Sequence, residues 1–297
     1  MIKNFKRVLV ANRGEIAIRI FRACAELGIR TIAIYSEEDK NSLFRTKADE
    51  SYLVGRNKGP VEAYLNIEEI IRLARKKGAD AIHPGYGFLS ENSEFAKSCE
   101  EAGIAFIGPT YHMMNKLGDK IQSKLVAQKV NVPTIPGSNK AITSEKGALS
   151  FARKSGYPVI LKASAGGGGR GMRVVHREED LLKEFQTAKN EAKKAFGIDD
   201  IFIEKYIENP KHIEVQILGD QYGNVVHLYE RDCSIQRRHQ KLIEFTPAIS
   251  LTEEQRQRIC NDAVKIAKSV NYRSAGTVEF LLDQDGNHYF IEMNPRI

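Results

Sequence analysis

The sequence predicts a mixed α/β and α+β chain, and three patterns predict this fold class. Short apolar runs alternate with helical periodicity over residues 1–115, a compact glycine-bearing unit occupies 136–205, and apolar and polar residues alternate through much of 206–297. Strand–helix alternation is typical of a parallel sheet with right-handed crossovers, whereas a period of two is typical of antiparallel strands with one covered face. We therefore expect three units, with a helical linker at 116–135 between the first two.

The first unit is predicted to be a Rossmann-like parallel sheet. Its predicted strands lie at 8–11, 31–35, 81–82 and 105–107, and its predicted helices at 16–27, 67–74 and 95–102. The loop His83-Pro-Gly-Tyr-Gly-Phe88 directly follows the third strand. Ligands of open parallel sheets bind beyond the carboxyl ends of the strands, so this loop is a candidate site. A tight Pro-Gly turn without a ligand explains the same residues equally well.

The second unit contains a glycine cluster between two predicted strands. The cluster comprises Gly166, Gly167, Gly168, Gly169 and Gly171, with Lys162 before it and Arg170 and Arg173 within or after it. Ordering glycine is entropically costly, but a backbone without Cβ atoms can close over a polyanion and direct its N–H groups at phosphate oxygens. Apolar residues on both sides argue against a flexible linker, which would be polar. The cluster and its cations therefore indicate a phosphate-binding loop.

Two common phosphate motifs do not explain this cluster. Gly166, Gly168 and Gly171 match the spacing G-x-G-x-x-G, but that fingerprint must open a helix, and the β-like Arg173-Val-Val175 follows here. The pattern G-x-x-x-x-G-K-[ST] does not occur in the sequence. The unit is completed by predicted helices at 145–155 and 178–196 and a predicted strand at 201–204. We expect a strand–glycine loop–strand hairpin that folds over a triphosphate.

The third unit ends in a predicted hairpin. Its strands and turn are 277–283, Asp285-Gly286 and 288–294. Because Asp285-Gly286 favours a two-residue turn, Gln284 would face Asn287. The same register makes Glu279 and Glu292 direct cross-strand neighbours, with Cβ atoms about 5 Å apart.

These two glutamates indicate a metal site. Asn294 lies two residues beyond Glu292 and so shares its face of the strand. Like charges directly opposite each other are destabilising unless something holds them, and Mg²⁺ prefers oxygen ligands, often one or two carboxylates plus substrate phosphates. We therefore expect Glu279, Glu292 and Asn294 to hold Mg²⁺ or Mn²⁺ against a nucleotide. Solvated carboxylates on an exposed sheet face are the alternative.

The composition excludes several classes of partner. The 297 residues carry 45 basic and 38 acidic side chains, a formal charge of +7, but acids are mixed among the bases, so we expect no nucleic-acid partner. No apolar run approaches the roughly 18 residues that span a bilayer, so we expect no membrane partner. The cysteines are Cys24, Cys99, Cys233 and Cys260. Their spacing favours a reducing compartment, which would be the cytoplasm, or the mitochondrial matrix for a mature organellar form.

Several segments carry a family resemblance. The glycine hairpin, the paired glutamates and Ile203-Glu-Lys-Tyr206 together resemble an ATP-grasp enzyme with a glycine-rich lid. Longer motifs narrow the resemblance to the biotin carboxylase component of biotin-dependent carboxylases, over essentially the whole chain. These motifs are Ala11-Asn-Arg-Gly-Glu-Ile16, His83-Pro-Gly-Tyr-Gly-Phe-Leu-Ser-Glu-Asn92, Gly118-Asp-Lys120, Gly166–Met172, Glu230-Arg-Asp-Cys-Ser234, Gln236-Arg-Arg-His-Gln-Lys241 and Glu292-Met-Asn-Pro-Arg296. The resemblance implies a pre-ATP-grasp domain at 1–115, a lid subdomain at 136–205 and a central subdomain at 206–297.

The resemblance also implies roles for individual residues. The ATP-binding set is Lys120, Lys162, Gly166, Gly167, Gly168, Gly169, Glu204, Lys205, His212, Gln236 and His239. Within it, Lys120 and Lys162 would contact phosphates, Glu204 and Lys205 the adenine edge, and His212 the ribose. The metal set is Glu279, Glu292 and Asn294, the biotin set is Tyr86 and Gly87, and the catalytic set is Lys241 and Arg296.

The implied activity is the carboxylation of biotin by bicarbonate, driven by ATP through carboxyphosphate. The implied cofactors and substrates are ATP, Mg²⁺ or Mn²⁺, bicarbonate and carrier-bound biotin. The implied partners are a biotinylated carrier domain in cis or trans, a carboxyltransferase domain and further copies in a homo-oligomer. Val226-His-Leu-Tyr-Glu230 and Asn294-Pro-Arg296 favour the branch that carboxylates pyruvate. The alternatives are an acyl-CoA carboxylase such as that for acetyl-CoA, another ATP-grasp ligase related to carbamoyl-phosphate synthetase, and a non-catalytic ATP-binding module.

One departure from the family pattern concerns the end of the chain. In the family, a Gln-Val-Glu-His run follows the position of Ile297, and its glutamate is taken as the base for bicarbonate. A further arginine lies beyond it. We therefore expect these 297 residues to be a fragment whose central subdomain is truncated. We expect the fragment to bind ATP but to turn over biotin weakly or not at all.

Overall fold

A five-stranded parallel sheet forms the N-terminal part of the chain. The computed structural model describes residues 4–118, 120–138, 140–163, 172–197, 199–237 and 240–296. The strands are β1 (Arg7–Val10), β2 (Arg30–Tyr35), β3 (Glu50–Leu53), β4 (Ala81–His83) and β5 (Ala105–Phe106), in the order β3-β2-β1-β4-β5. All four strand pairs are parallel, as predicted. The order reverses direction between β1 and β4, which places a crevice at their carboxyl ends.

Helices and short 3₁₀ turns connect these strands. The helices are α1 (Gly14–Glu26), α2 (Ile67–Lys76) and α3 (Ser93–Glu101), and the 3₁₀ segments are Leu43–Lys47 and Glu62–Leu65. The sequence pattern did not reveal β3, because this edge strand is half-buried throughout and has no continuous apolar run. Two helices, α4 (Tyr111–Gly118) and α5 (Lys120–Lys129), lead onward to the second unit.

The second unit is a three-stranded antiparallel sheet packed against two helices. Its elements are α6 (Glu145–Ser155), β6 (Val159–Ala163), β7 (Met172–Val175), α7 (Glu178–Phe196) and β8 (Ile201–Lys205). The strand order is β7-β6-β8. Strands β6 and β7 are the predicted strands on either side of the glycine cluster, and Leu161, Phe185 and Ile203 lie in the core beneath them. The glycines themselves lie outside the described residues.

The third unit is a five-stranded antiparallel sheet. Its elements are β9 (Lys211–Gly219), β10 (Val225–Arg237), β11 (Gln240–Phe245), α8 (Glu253–Ser269), β12 (Ser274–Leu282) and β13 (His288–Asn294). The strand order is β11-β10-β9-β12-β13. Ile213, Val215 and Phe280 pack one face of the sheet against Ile259 and Ala263 of α8. The other face carries the polar residues that alternate with them.

The β12–β13 hairpin corrects one detail of the predicted register. Glu279 pairs with Glu292, as predicted, but Gln284 does not face Asn287. Instead the Asp283 N–H donates to the Asn287 carbonyl at 2.9 Å, so three residues form the turn. The Asp283 carboxylate accepts the N–H groups of Asp285 at 3.0 Å and Asn287 at 2.8 Å, which closes the turn one residue early.

An irregularity further along the hairpin restores the predicted pairing. The ladder passes from Phe280 opposite Phe290 to Glu279 opposite Glu292, which leaves Ile291 as an extra residue. One extra residue in one strand is a β-bulge, and bulges re-aim the side chains that follow them. The prediction for the two glutamates was therefore right, although the turn that was used to reach it was wrong.

Within the described residues, two further sequence expectations can be compared with the structure. None of the described helices combines the length and apolar character that crossing a bilayer requires. The four cysteines are all buried and free. Burial raises the pKa of the Cys99 thiol to about 12, so this side chain behaves as a small apolar core residue.

Two glycines in the loop after β4 have similar backbone conformations but different surroundings. Gly85 and Gly87 both have positive φ, +64° and +67°. A Cβ on Gly85 would lie 2.7 Å from Asn12 Nδ2, whereas one on Gly87 would meet nothing within 4 Å. The Asn12 amide is buried and donates to the carbonyls of Pro84 at 2.6 Å and Tyr86 at 2.8 Å.

We predict that Gly85→Ala destabilises the chain more than Gly87→Ala does. Both variants incur the cost of a left-handed alanine, about 1–2 kcal/mol. Gly85→Ala also displaces Asn12 and its hydrogen bonds, for a further loss of about 1 kcal/mol or more. Urea unfolding of the two variants measures the difference, and equal losses would contradict this account of the loop.

Candidate active site

Three glutamates lie side by side across the polar face of the third sheet. Glu214 on β9 is opposite Glu279 on β12, which is opposite Glu292 on β13. Glu214 and Glu279 are each 5% exposed. Cross-strand neighbours have Cβ atoms about 5 Å apart, so this row of like charges would be destabilising without counter-ions.

The neighbouring strands supply these counter-ions. Lys241 Nζ on β11 donates to Glu279 Oε1 at 2.7 Å and also to Glu214. Arg231 on β10 donates to the other oxygen of Glu214. Burial alone would lower the pKa of Lys241, but its two carboxylate partners outweigh burial and raise it. The lysine is therefore a fixed positive charge at neutral pH.

His212 and Asn294 complete the shell around Glu279. His212 Nε2 lies 2.6 Å from Glu279 Oε2, and Asn294 Nδ2 donates to Glu279 Oε1 at 2.8 Å. The Gln236 amide nitrogen lies 2.9 Å from His212 Nδ1. Burial would raise the pKa of Glu279, but hydrogen bonding and charge from His212 and Lys241 lower it to about 2.

These residues fit a divalent cation in their chemistry. No group of three or more His, Cys, Asp or Glu side chains arranged to hold a metal occurs among the described residues. Two adjacent carboxylates and the amide oxygen of Asn294 are nevertheless the oxygen ligands that Mg²⁺ prefers, with phosphates completing the shell. Since Glu279 already accepts three protein hydrogen bonds, a cation would take over part of the role that Lys241 and His212 now fill.

The second unit carries a separate charged cluster at the end of β8. Lys162 Nζ lies 2.5 Å from Glu204 Oε2, and Lys124 Nζ of α5 lies 3.4 Å from Glu204 Oε1. Burial would raise the pKa of Glu204, but the two ammonium groups lower it overall. Lys205, next in sequence, donates instead to the backbone carbonyls of Gly156 at 3.2 Å and Tyr157 at 2.7 Å. Glu204 and Lys205 therefore make different contacts, which the sequence did not distinguish.

A third part of the site lies where the β12–β13 hairpin meets the N-terminal unit. Arg296 Nε lies 3.6 Å from Glu91 Oε1. A cavity of about 250 Å³ adjoins this contact, and Glu91, Ser123, Glu292 and Asn294 are among its lining residues. Glu91 follows the predicted site loop by three residues and lies in the longer motif 83–92, so this motif and Glu292 border the same cavity.

The biotin residues implied by the family lie earlier in that loop. Tyr86 is 46% exposed, and its hydroxyl donates to Glu15 at the start of α1. His83 Nδ1 accepts the Gly85 N–H at 3.0 Å. Burial lowers the pKa of His83 to about 4, so its ring is neutral at physiological pH. The loop thus presents an aromatic side chain to solvent from a backbone that Asn12 and His83 hold in place.

Some predicted residues cannot be placed. Gly166, Gly167, Gly168, Gly169 and His239 lie outside the described residues, and so does the side chain of Lys120, the first residue of α5. The remaining predicted residues lie in the three clusters given above, apart from Lys205, which contacts backbone carbonyls, and Tyr86 and Gly87, which lie in the loop after β4.

The sequence analysis missed four residues that the structure places in these clusters: Glu214, Arg231, Lys124 and Glu91. Glu214 had a readable signal, because His212, Glu214 and Gln216 alternate with buried Ile213, Val215 and Ile217 along β9. Lys124 and Glu91 had none, since each gains its partner from a distant part of the chain.

Two family models match the chain. Residues 119–297 match the family described as carbamoyl-phosphate synthase L chain, ATP binding domain, and residues 4–114 match the biotin carboxylase, N-terminal domain. The first match alone spans more than half of the chain. The chain therefore belongs to the family of this ATP-binding domain and carries the biotin carboxylase N-terminal domain before it, in agreement with the motifs.

Two individual proteins similar to this chain are carboxylases that act on different substrates. The chain is 57% identical over 295 residues to the mitochondrial pyruvate carboxylase of Rattus norvegicus. This match covers 99% of the chain and 25% of that protein. It is also 57% identical over 293 residues to the 2-oxoglutarate carboxylase small subunit of Hydrogenobacter thermophilus, covering 99% of the chain and 62% of the subunit. The chain thus spans about a quarter of the length of the pyruvate carboxylase.

A solved structure shows the same fold. The biotin carboxylase domain dimer of Hydrogenobacter thermophilus 2-oxoglutarate carboxylase, in complex with MgADP, ADP and bicarbonate, superposes with a TM-score of 0.87 at 56% identity. The match covers 99% of the chain and 65% of that domain. Magnesium and bicarbonate, which the sequence motifs implied, are among its ligands, and ADP is its nucleotide.

The charge on Glu279 makes a prediction about acid stability. Its pKa is lowered in the folded chain from 4.5 to about 2. The carboxylate therefore stabilises the fold above pH 4.5, and this contribution is lost as the pH falls from 4.5 to about 2. The native chain should exceed Glu279→Gln in free energy of unfolding by an amount that shrinks as the pH falls from 5 towards 2.

Urea unfolding at a series of pH values measures this difference. The linked loss is on the order of 3 kcal/mol when taken directly from the pKa change. Glu38→Gln, at an exposed glutamate of the first unit, is the matched control and should show no such change. A difference between the native chain and Glu279→Gln that stays constant with pH would contradict the prediction.

Proposed function

We propose that this chain is the ATP-binding and phosphoryl-transfer part of a biotin carboxylase, which carboxylates biotin with bicarbonate by way of carboxyphosphate. The pairing of Glu279 with Glu292, next to Lys241, is the observation that supports this most directly. Phosphoryl transfer depends on positioning and charge neutralisation rather than on a protein nucleophile. The site has this character, with carboxylates to hold a cation and cations to hold anions.

Nucleotide binding would use both charged clusters. Lys162 and the glycine cluster 166–169 would hold the phosphates, with Lys120 beside them. Glu204 and Lys205 would border the adenine. His212 would contact the sugar, and Gln236 and His239 would lie near it beside the phosphates. Glu279, Glu292 and Asn294 would hold Mg²⁺ or Mn²⁺, which neutralises charge on the phosphates when bound.

Carboxyphosphate formation would take place beside Lys241. A bicarbonate oxygen attacks the γ-phosphorus of ATP, the bond from that phosphorus to the bridging oxygen breaks, and ADP leaves with the electron pair. The Lys241 ammonium, fixed by Glu214 and Glu279, would orient bicarbonate and offset the charge that accumulates. A lid formed by the second unit would keep water from the intermediate.

Carboxylation of biotin would follow near the hairpin end. Carboxyphosphate breaks down to CO₂ and phosphate, the released phosphate takes the proton from the ureido N–H of biotin, and the nitrogen then forms a bond to the CO₂ carbon. Arg296 would stabilise the negative charge on the ureido oxygen, with Tyr86 and Gly87 bordering the ring. The contact between Arg296 and Glu91 supports this arrangement, because it joins the hairpin to the loop that carries Tyr86.

The final carboxyl acceptor defines the complete protein, and we propose pyruvate. Residues 226–230 and 294–296 and the 57% identity to a pyruvate carboxylase support this choice. The second candidate is 2-oxoglutarate, which an equal identity to the 2-oxoglutarate carboxylase small subunit favours. In both cases a biotinylated carrier domain, a carboxyltransferase domain and further copies of the chain would be the partners, in the cytoplasm or the mitochondrial matrix.

A binding experiment tests the metal assignment. We predict that Mg²⁺ tightens ATP binding by the native chain and that Glu292→Gln reduces this gain by about tenfold, the effect of losing one charged ligand. Calorimetric titration of ATP with Mg²⁺ and with EDTA measures the gain, and Glu38→Gln is the matched control. A chain that binds no ATP would overturn the proposed function, and an unchanged Mg²⁺ gain would overturn the role of Glu292.

A turnover experiment separates the enzyme from a non-catalytic module. In the protein isolated from its natural source, free biotin should stimulate bicarbonate-dependent ATP hydrolysis, and Lys241→Ala and Arg296→Ala should abolish the stimulation. ATP binding with no stimulation in the native protein would favour a nucleotide-sensing module. Labelled bicarbonate supplied with pyruvate or 2-oxoglutarate then identifies the acceptor.

A further inference from the structure

Glu204 is held between two lysines that come from different parts of the chain. Lys162 belongs to β6 in the same sheet, whereas Lys124 belongs to α5, eighty residues before Glu204. Each lysine contacts a different oxygen of the carboxylate, at 2.5 Å for Lys162 and 3.4 Å for Lys124. Two positive charges therefore share one negative charge, and only one of them is needed to neutralise it.

The backbone at Gly137 leaves room for the Lys124 side chain to reach Glu204. Gly137 forms a bridge with Glu204, and the Lys205 N–H donates to the Pro136 carbonyl at 2.8 Å, so this segment pairs alongside β8. A Cβ on Gly137 would lie 2.7 Å from Glu204 Cγ and 2.8 Å from Lys124 Nζ. The absence of a side chain at Gly137 therefore leaves the space in which Lys124 reaches Glu204.

The two lysines differ in exposure. The side chain of Lys162 is 37% exposed, against 18% for Lys124 and 20% for Glu204. The more exposed Lys162 can therefore rotate towards a ligand, while the more buried Lys124 stays paired with the Glu204 carboxylate. If Lys162 left Glu204 without a second cation present, a largely buried carboxylate would remain unpaired, which is strongly unfavourable.

We propose that Lys124 is a positioning residue that keeps Glu204 neutralised, so that Lys162 can move from Glu204 to a nucleotide phosphate. This inference rests on the proposed function, because it takes Lys162 as a phosphate ligand. Lys124 touches neither nucleotide nor metal in this arrangement. It acts only by making Lys162 available, and its effect is therefore confined to ligands that carry phosphates.

The test compares ATP with adenosine. Lys124→Met keeps most of the aliphatic stem of the lysine and removes its charge, so Lys162 remains paired with Glu204. We expect the Kd for ATP to rise at least tenfold and the Kd for adenosine, which offers Lys162 no phosphate, to change less than threefold. Lys124→Arg should restore ATP binding, and Lys129→Met, at an exposed position on the same helix, should leave both values unchanged.

A double variant tests whether Lys124 acts through Glu204. In the Glu204→Gln background there is no carboxylate to neutralise, so adding Lys124→Met should change the Kd for ATP less than threefold. Lys124→Gln serves as a second uncharged variant if Lys124→Met unfolds, with thermal unfolding as the check of the fold.

The outcomes separate this inference from the proposed function. Failure of the native chain to bind ATP would overturn both. Native ATP binding with equal losses for ATP and adenosine in Lys124→Met would overturn the positioning role alone, since a merely structural role weakens both ligands. An unchanged Kd for ATP in Lys124→Met, or full additivity with Glu204→Gln, would overturn it as well.

Discussion

The row of carboxylates on the third sheet is the constraint on which the candidate site depends. Three glutamates on adjacent strands are held a few ångströms apart at the edge of a protein interior, where charge repulsion is stronger than in water. The fold supplies Lys241, Arg231 and His212 from three further positions to balance them. The strand order, the bulge at Ile291 and the polar alternation along β9 together place these glutamates and cations on one face of the sheet.

The same physical arrangement recurs in the second unit. Glu204 is balanced by lysines as Glu279 is, and in each case at least one cation is only partly buried. Glu204, Glu214 and Glu279 thus each have a cationic partner within the protein alone. A polyanion with its metal can exchange with these internal partners, because it offers the lysines an anion and the glutamates a cation in return.

The N-terminal sheet contributes by geometry rather than by charge. Its strand order reverses between β1 and β4, and the loop after β4 lies at the crevice that this reversal creates. Asn12 and His83 hold the loop backbone, and Glu91 extends it to Arg296 at the end of the last strand. The N-terminal unit and the antiparallel sheet therefore meet at a place where both carry side chains of the site.

Sequence by itself determined the fold class, most strand and helix positions, the family and the pairing of Glu279 with Glu292. These follow from periodicity, turn residues and local motifs, which act over a few neighbouring positions. It did not determine the three-residue turn, because the Asp283 side chain closes that turn through bonds that strand alternation does not encode. Only the tertiary structure decided which cation lies beside which carboxylate. Lys124 with Glu204 and Arg296 with Glu91 are contacts across tens to hundreds of residues, and such contacts depend on how the units pack.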